Sequence, residues 1–339
     1  MVNDNSKIEL MQQWKVLLAT REESYKNMAK EAVAMNPWFI ESEIDRSLNA
    51  IAQDYLDDHA LHQWILKYQP KEVDYHKSVG IVAAGNIPFV VFHDLICAIF
   101  TGRKVYLKLA EKDTVIPTHY LRGLKKISEN LLDVEITQKL PEVDAYIITG
   151  SSLALNHYKN YLKGKPAIMR GHRNSIAILD GNENDDELTN LGFDVFSYFG
   201  LGCRNVSKLF LPVGYDLSRL FKVWDTVFNY LIDVNVYYRN YDYQKALKLV
   251  NRVDFLDTGY VMFEESKSIS PPLATVFYEY YRDNDELKRW INENEERLQC
   301  VVANSSLDFQ GSVTFGRGQH PGLWDYQDNL DTMEFLIKS

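Results

Sequence analysis

Cys203 is the residue of this sequence that best fits a chemical role. Gly200 and Gly202 precede it by three residues and by one, so the backbone there can approach a ligand closely. Arg204 follows directly, and Lys208 comes four residues later. A nearby positive charge lowers the pKa of a thiol and raises its thiolate fraction. Because an apolar run typical of a buried strand follows, the thiol is predicted to lie at the mouth of that strand as a nucleophile.

The other two cysteines lie in apolar surroundings. Cys97 is part of a mostly apolar helical run, and Cys300 precedes a short strand-like run at residues 301–303. Free cysteine is among the residue types most often buried, so both are predicted to fill the core. The same interpretation stays open for Cys203, as a packed cysteine in a tight turn.

Two turns that follow strand-like segments are candidate ligand sites, because ligands of open parallel sheets bind at the carboxyl ends of the strands. The first turn contains Asn86, whose side-chain amide could donate to a developing oxyanion. The second contains Gly150 and Ser151, whose backbone N–H groups and hydroxyl, at a helix start, could hold a phosphate. Both turns are equally compatible with an ordinary helix N-cap, with Pro88 in the first turn of the helix that follows Asn86.

Lys108 lies near the end of a strand that is otherwise mostly apolar, residues 104–109. A strand buried on both faces seldom ends in lysine unless the ammonium group meets an anion, although a solvated strand end is the alternative. The early strands lack the G-x-G-x-x-G fingerprint of dinucleotide-binding folds. No histidines or cysteines stand at zinc-binding spacing, so the sequence predicts no metal.

The composition is that of a soluble globular protein and excludes several functions. The 339 residues carry a net charge of −10, and 46% of them are hydrophobic. Nucleic-acid binding needs clustered Lys and Arg, so no nucleic-acid partner is predicted. Three cysteines without a pairing pattern indicate a reducing, cytoplasmic compartment. The N-terminus is polar, so no signal peptide is predicted, and no apolar stretch is long enough to predict a membrane span.

Strand-like and helical segments alternate along most of the chain. This alternation predicts an α/β fold with two parallel-sheet domains after a helical N-terminal region. Residues 1–192 are predicted to form the helical region and a cofactor-binding domain, and residues 193–305 a catalytic domain that carries Cys203. The segment 306–339 is predicted to return to the cofactor domain or to a subunit interface.

The segment before Cys203 is predicted to be one helix that runs from Asp185 to Phe199. The acidic residues 182–186 suit the N-terminus of that helix, because the helix dipole favours negative charge there. The same residues are the best candidate for a linker between the two domains.

In their order and spacing, these segments resemble the aldehyde dehydrogenase superfamily. Within it they are most similar to the acyl-CoA reductase family, which includes the LuxC-like fatty acyl reductases of bacterial luminescence systems. The similarity covers most of the chain, from about residue 35 to its end. The segments that carry it are residues 85–88, 108, 149–151, 173–175, 200–208, 270–273 and 331–336.

The resemblance implies an aldehyde-dehydrogenase-like fold and roles for the same residues. Cys203 would be the acyl-accepting nucleophile, and Asn86 with the Cys203 backbone N–H would form the oxyanion hole. Lys108 would contact the adenosine ribose or its 2′-phosphate, and Gly150 and Ser151 would lie near the cofactor phosphates. The superfamily commonly forms dimers or tetramers, which implies a homo-oligomer. A complex with an acyl-transfer or acyl-activating protein is a further implied partner.

The sequence departs from the wider superfamily at two places. Aldehyde-oxidising members usually carry a glutamate, a base that activates water, about where Met169 stands here. Without that base an acyl-enzyme should hydrolyse slowly, which favours acyl reduction over aldehyde oxidation. A second glutamate, which orients the nicotinamide ribose in many members, has no good match, since the nearest are Glu264 and Glu265.

Together these features lead to the hypothesis of an NADPH-dependent reductase, with NADH possible. It would convert a fatty acyl-CoA or a similar thioester to the aldehyde through an S-acyl enzyme on Cys203. The preference for NADPH rests on Lys108 and on the reductive direction. The alternatives are an acyl-phosphate reductase or aldehyde dehydrogenase of the same superfamily, and a non-catalytic acyl-accepting subunit of a fatty-acid reductase complex.

Overall fold

The computed structural model describes residues 4–68, 76–128, 132–162, 164–304, 306–307 and 309–339. The chain divides into two compact units. The first unit comprises residues 1–172 and 321–339, and the second comprises residues 173–320. Each unit is built on one largely parallel β-sheet.

The first unit begins with the helices α1 (Asp4–Ala19), α2 (Glu23–Met35), α3 (Glu41–Ala50) and α4 (Asp58–Tyr68). Helix α2 shows how these segments pack. Its buried residues are Tyr25, Met28, Ala29 and Ala32. Spacings of three and four residues place them on one face, and that face joins the hydrophobic core of the unit.

A five-stranded parallel sheet follows, with strand order β3-β2-β1-β4-β5. The strand order reverses between β1 and β4. In such sheets the crevice outside the carboxyl ends of the two strands is the usual ligand position. The elements are β1 (Ser78–Val82), α5 (Phe92–Phe100), β2 (Lys104–Lys108), α6 (Val115–Ile127), β3 (Val134–Ile136), β4 (Ala145–Thr149), α7 (Ser152–Tyr161) and β5 (Ala167–Arg170).

The second unit contains a six-stranded sheet with strand order β11-β6-β7-β10-β9-β8. All neighbouring strands are parallel except β8, which pairs antiparallel with β9. The elements are β6 (Asn174–Ile178), α8 (Asp185–Phe196), β7 (Val206–Pro212), α9 (Leu217–Phe228), α10 (Asn235–Asn251), β8 (Leu256–Asp257), β9 (Met262–Glu265), β10 (Thr275–Tyr281), α11 (Asn284–Asn294) and β11 (Leu298–Ala303).

The boundary between the units lies at residues 172/173 in the structure and at 192/193 in the sequence analysis. Strand β6 accounts for the difference, because it pairs with β7 and β11 and therefore belongs to the second sheet. The acidic segment 182–186 lies inside the second unit, so its interpretation as a linker was wrong. It starts helix α8 instead, where Asn184 and Glu187 form a capping box.

The C-terminal residues 321–339 return to the first unit and end in helix α12 (Thr332–Lys338). Arg170, at the end of β5, anchors this return from a buried position. Its guanidinium group donates to Asp94 over 2.6 Å and to the Thr332 hydroxyl over 2.5 Å. A buried guanidinium needs a carboxylate partner, and helix α5 supplies it.

Candidate active site

Cys203 lies just before the amino-terminal end of the inner strand β7. Its side chain is partly exposed, whereas Cys97 and Cys300 are buried, as the sequence predicts. Cys203 is therefore the one thiol of the three that a substrate in solution can reach readily.

The chain before Cys203 does not continue as the predicted helix. Helix α8 ends at Phe196, and Tyr198, Phe199 and Gly200 have φ angles of 52°, 58° and 74°. A left-handed conformation costs an ordinary L-residue about 1–2 kcal/mol. Both aromatic side chains are buried, so their packing offsets that strain. Strained backbone of this kind concentrates at functional sites, which marks the segment before the thiol.

Asn205 fixes the shape of this loop from inside. Its side-chain amide donates to the backbone carbonyls of Asp194, Val195 and Ser197, at 3.1, 3.3 and 2.8 Å. Its Oδ1 accepts from the backbone N–H of Gly202 at 2.8 Å. The amide thus satisfies carbonyl groups at the end of α8 that the helix itself leaves unpaired. Sequence reasoning missed this role, because an asparagine between a turn and a strand usually reads as a turn residue.

The thiol and the backbone of Cys203 both contact the start of β6. The backbone N–H of Arg173 donates to Cys203 Sγ at 3.5 Å, and Ser175 Oγ donates to the Cys203 carbonyl at 2.9 Å. Ser175 is fully buried. A backbone donor aimed at sulfur can stabilise negative charge there. The sequence analysis noted residues 173–175 for their resemblance alone and gave them no role.

The sequence predicts that Arg204 and Lys208 lower the pKa of the Cys203 thiol. In the structure their charged groups form hydrogen bonds with other groups. Arg204 Nε donates to the Gly318 carbonyl at 2.6 Å, and Nη2 lies 3.7 Å from Cys300 Sγ. Lys208 is fully buried and bonds Glu279 at 2.5 Å and the Ser266 carbonyl at 2.8 Å. Burial lowers the pKa of Lys208, and the bond to Glu279 opposes that shift.

Asp194, in helix α8, connects the loop that carries Cys203 to a second loop, residues 316–318. Its two carboxyl oxygens accept the backbone N–H groups of Gly316 and Gly318, at 2.6 and 2.8 Å. A Cβ on Gly318 would lie 2.8 Å from Asp194 Oδ1, so only glycine allows this approach. Burial raises the pKa of Asp194 to about 7, against the effect of the two N–H groups.

In the first unit, Asn86 lies in the loop after β1 and is half-buried. It is not the N-cap of the next helix, because α5 begins at Phe92 with Val91 as its cap residue. Because α5 begins only at Phe92, Pro88 lies before the helix, and its predicted place in the first helical turn was wrong. The N-cap alternative for Asn86 is thereby removed.

The loop that carries Asn86 is tightly built. Phe89 has a φ of 57°, and its backbone N–H donates to Asp113 Oδ2 at 2.8 Å. Burial raises the pKa of Asp113 to about 8. A Cβ on Gly85 would lie 2.6 Å from the Cβ of Ala110, so glycine is required for the close contact with the segment after β2.

The predicted cofactor residues gather at the carboxyl edge of the first sheet. Lys108 is the last residue of β2, and its ammonium donates to the Tyr158 hydroxyl of α7 at 3.3 Å. Ser151 is the N-cap of α7, where its side chain accepts from the Ala154 N–H at 3.4 Å. The cap interpretation thus holds for the Ser151 side chain, and it uses the N–H of Ala154, whereas a helix by itself leaves the other N–H groups of its first turn unpaired.

Thr149 and Gly150 stand at the carboxyl end of β4, beside the reversal of strand order between β1 and β4. Thr149 Oγ1 is buried at this edge and has no hydrogen-bond partner in the part of the chain that the structure describes. A Cβ on Gly150 would lie 3.3 Å from that of Ala154, which is a tight contact. An unpaired buried hydroxyl beside a bare glycine backbone suits the oxygen-rich phosphates of a nucleotide.

Met169, on β5, packs its half-buried side chain against a cluster of apolar residues of the first sheet. The position that the superfamily resemblance associates with a base therefore carries a side chain without acid–base chemistry. Glu264, the nearest candidate for the second family glutamate, forms an ion pair with Lys248.

The structure brings the sequence-predicted site residues together in two groups. Asn86, Lys108, Gly150 and Ser151 belong to loops and strand ends at the carboxyl edge of the first sheet. Cys203 belongs to the second unit. Within the described ranges, no group of three or more His, Cys, Asp and Glu side chains is arranged to hold a metal ion. No described helix is both long and apolar enough to cross a bilayer.

No protein-family model matches this sequence, and no curated protein matches it. Solved structures do match its fold. Aldehyde dehydrogenase 21 from Physcomitrella patens, solved with the reaction product succinate, is 12% identical with a TM-score of 0.64. That match covers 99% of this chain and 84% of the moss enzyme.

Two further structures give the same result. The Mycobacterium tuberculosis aldehyde dehydrogenase complexed with NAD⁺ is 13% identical, with a TM-score of 0.61 and coverage of 91% of this chain and 74% of that one. An acetylating aldehyde dehydrogenase from Geobacillus thermoglucosidasius is 9% identical, with a TM-score of 0.64 and coverage of 94% and 83%. The chain therefore has an aldehyde-dehydrogenase-like fold with two parallel-sheet α/β domains, which confirms the predicted fold class.

Proposed function

We propose that this protein reduces an acyl thioester, such as a fatty acyl-CoA, to the aldehyde with NADPH. The observation that carries the proposal is the environment of Cys203. A partly exposed thiol follows a strained backbone segment, and the Arg173 N–H donates to its sulfur. An aldehyde-dehydrogenase-like fold, together with the resemblance to acyl-CoA reductases, makes acyl transfer to this thiol the chemistry that best fits it.

Acylation uses the sulfur of Cys203 as the nucleophile. Its thiolate attacks the carbonyl carbon of the thioester, and a C–S bond forms. When the tetrahedral intermediate collapses, the bond to coenzyme A breaks and coenzyme A leaves as its thiolate. The hydrogen bond from Ser175 Oγ to the Cys203 carbonyl holds the backbone of the nucleophile during this exchange.

In this proposal Asn86 donates its side-chain amide to the oxyanion, and the Cys203 backbone N–H is the second donor. One such donor contributes about 3 kcal/mol to transition-state stabilisation. The fixed loop around Asn86 suits this role, because an oxyanion donor acts best when it needs no reorganisation.

Lys108, Thr149, Gly150 and Ser151 would hold the cofactor at the carboxyl edge of the first sheet. When bound, NADPH supplies the hydride that reduces the acyl group on Cys203. The C–S bond of the resulting thiohemiacetal then breaks, which releases the aldehyde and restores the Cys203 thiolate. Lys108 favours NADPH over NADH, because an ammonium group binds the 2′-phosphate that NADH lacks.

Met169 favours reduction over hydrolysis. Its side chain cannot activate water, so the acyl-enzyme persists until it is reduced or exchanges with another thiol. Aldehyde oxidation needs that hydrolytic step, and for this reason it is the weaker candidate.

The first test is intact-mass measurement after incubation with acyl-CoAs of several chain lengths. Wild-type protein should gain one acyl group, and Cys203→Ala should gain none while it still binds NADPH. Cys300→Ala is the matched control, because it removes a buried thiol of the same unit and should label normally. Aldehyde formation by Cys203→Ala would overturn the proposal.

The second test separates the related activities. NADPH consumption is followed with an acyl-CoA and with an acyl phosphate, NADPH formation is followed with an aldehyde plus NADP⁺, and each reaction is repeated with the NADH couple. The proposal expects the highest kcat/KM for acyl-CoA with NADPH. Labelling of Cys203 without any cofactor binding would identify an acyl-accepting subunit of a reductase complex instead.

A further inference from the structure

The side-chain amide of Gln319 is a buried donor without an acceptor. Gln319 is 8% exposed, and its Nε2 has no hydrogen-bond partner among the described residues. Leaving a buried N–H unpaired lowers the stability of a fold, so such a group in a native protein calls for an explanation. A ligand that supplies the missing acceptor is one such explanation.

Gln319 directly follows the loop of residues 316–318. That loop is hydrogen-bonded to Arg204, the residue after Cys203. Arg204 Nε donates to the carbonyl of Gly318 at 2.6 Å, while Asp194 accepts the N–H of Gly318 at 2.8 Å. The backbone before Gln319 is therefore fixed on both sides, by groups that belong to the elements around Cys203. A donor on such a fixed segment is preorganised.

We propose that Gln319 is a substrate-binding residue whose amide donates to a carbonyl oxygen of the acyl thioester. This inference rests on the proposed function. A neutral N–H donor matches a neutral carbonyl oxygen, and a coenzyme A thioester offers this group twice, in the acyl carbonyl and in the amides of the pantetheine arm. Asp194 is the positioning residue of this donor, because it holds the loop that precedes Gln319.

The test is Gln319→Met, which keeps the length of the side chain and removes the amide. A residue with a structural role should lose stability on this change. Here the thermal midpoint should stay the same or rise, because an unpaired buried donor disappears. The rate of Cys203 acylation, followed by intact mass without cofactor, should fall about tenfold. Gln310→Met, at an exposed glutamine of the same unit, is the control and should change neither quantity.

Two substrates identify the carbonyl. If Gln319→Met slows acylation by the acyl-CoA and by the S-ethyl thioester of the same acid, the acyl carbonyl is the acceptor. If it slows only the acyl-CoA reaction, the acceptor is in the pantetheine arm. Acylation at the wild-type rate with both substrates, or a loss of activity that only follows a lowered thermal midpoint, would overturn the inference. Wild-type protein that is not acylated at all would instead refute the proposed function, and this inference with it.

Discussion

The two loops that carry the candidate chemistry are held in different ways. The Asn86 loop follows β1 at the carboxyl edge of the first sheet, where parallel sheets usually bind ligands. The Cys203 loop precedes β7, at the amino edge of the second sheet, and depends on side chains for its shape. The position of the first loop follows from the sheet topology, whereas the shape of the second depends on specific side-chain hydrogen bonds.

The same contrast appears in how each loop is stabilised. The Asn86 loop packs Gly85 on the neighbouring segment, and two side chains from outside bond its backbone: Asp113 accepts the Phe89 N–H, and Ser47 Oγ donates to the Pro88 carbonyl. The Cys203 loop uses several side-chain bonds, and most of them converge on Asn205. We therefore expect substitution of Asn205 to unfold the Cys203 loop, and substitution of Asn86 to change the chemistry.

Asn205→Ala should give the largest effect. It removes the acceptor of the Gly202 N–H and leaves buried carbonyls at the end of α8 unpaired. A loss of about 3–4 kcal/mol in unfolding free energy is expected, measured by urea denaturation. Asn251→Ala is the control, because its amide also donates to a helix carbonyl but is exposed, and it should lose less than about 1 kcal/mol. Equal losses in the two variants would refute the central role of Asn205.

Asn86→Ala should slow acylation. The loss of one oxyanion donor is expected to lower the acylation rate about 100-fold, measured by intact mass over time. Asn160→Ala, at an exposed position on α7, controls for a general effect in the first unit. Acylation of Asn86→Ala at the wild-type rate would refute the oxyanion role of Asn86.

The sequence predicted the fold and the first loop better than the second. The mostly apolar run at residues 104–109 marked strand β2 (Lys104–Lys108) to within one residue, because a strand inside a parallel sheet needs such a run. The end of α8 was missed, since nothing local shows that Tyr198 and Phe199 adopt left-handed backbone. The unit boundary was also placed differently, because the pairing of β6 with distant strands is not a local property.

Two buried carboxyl groups, those of Asp113 beside the Asn86 loop and of Asp194 in α8, predict a common dependence of stability on pH. Burial raises the pKa of Asp113 to about 8 and that of Asp194 to about 7, from 3.8. Between about pH 5 and pH 7 the folded protein holds protons that the unfolded chain has lost. The unfolding free energy should therefore fall as pH rises, by up to about 1.4 kcal/mol per pH unit for each group.

Asp113→Asn tests the contribution of Asp113 alone to this pH dependence. The asparagine can still accept the Phe89 N–H, and it does not ionise, so the slope between pH 5 and pH 7 should become shallower by up to about 1.4 kcal/mol per unit. Urea denaturation at several pH values measures it. Asp216→Asn is the control, because hydrogen bonds from Ser218 lower the pKa of that exposed carboxyl and keep its titration below this range. An unchanged slope in Asp113→Asn would mean that Asp113 is ionised in the folded protein.

Ser151→Ala should give the smallest effect and separates capping from cofactor binding. The serine hydroxyl accepts the Ala154 N–H, so its loss should destabilise α7 by about 1 kcal/mol. Phosphate binding at a helix start depends mainly on backbone N–H groups, which the substitution keeps. The Kd for NADPH, measured by titration calorimetry, should therefore change less than threefold. A tenfold weaker Kd would assign the hydroxyl to the cofactor. Cofactor binding at the carboxyl edge of the first sheet would then depend on side chains, as the shape of the Cys203 loop does.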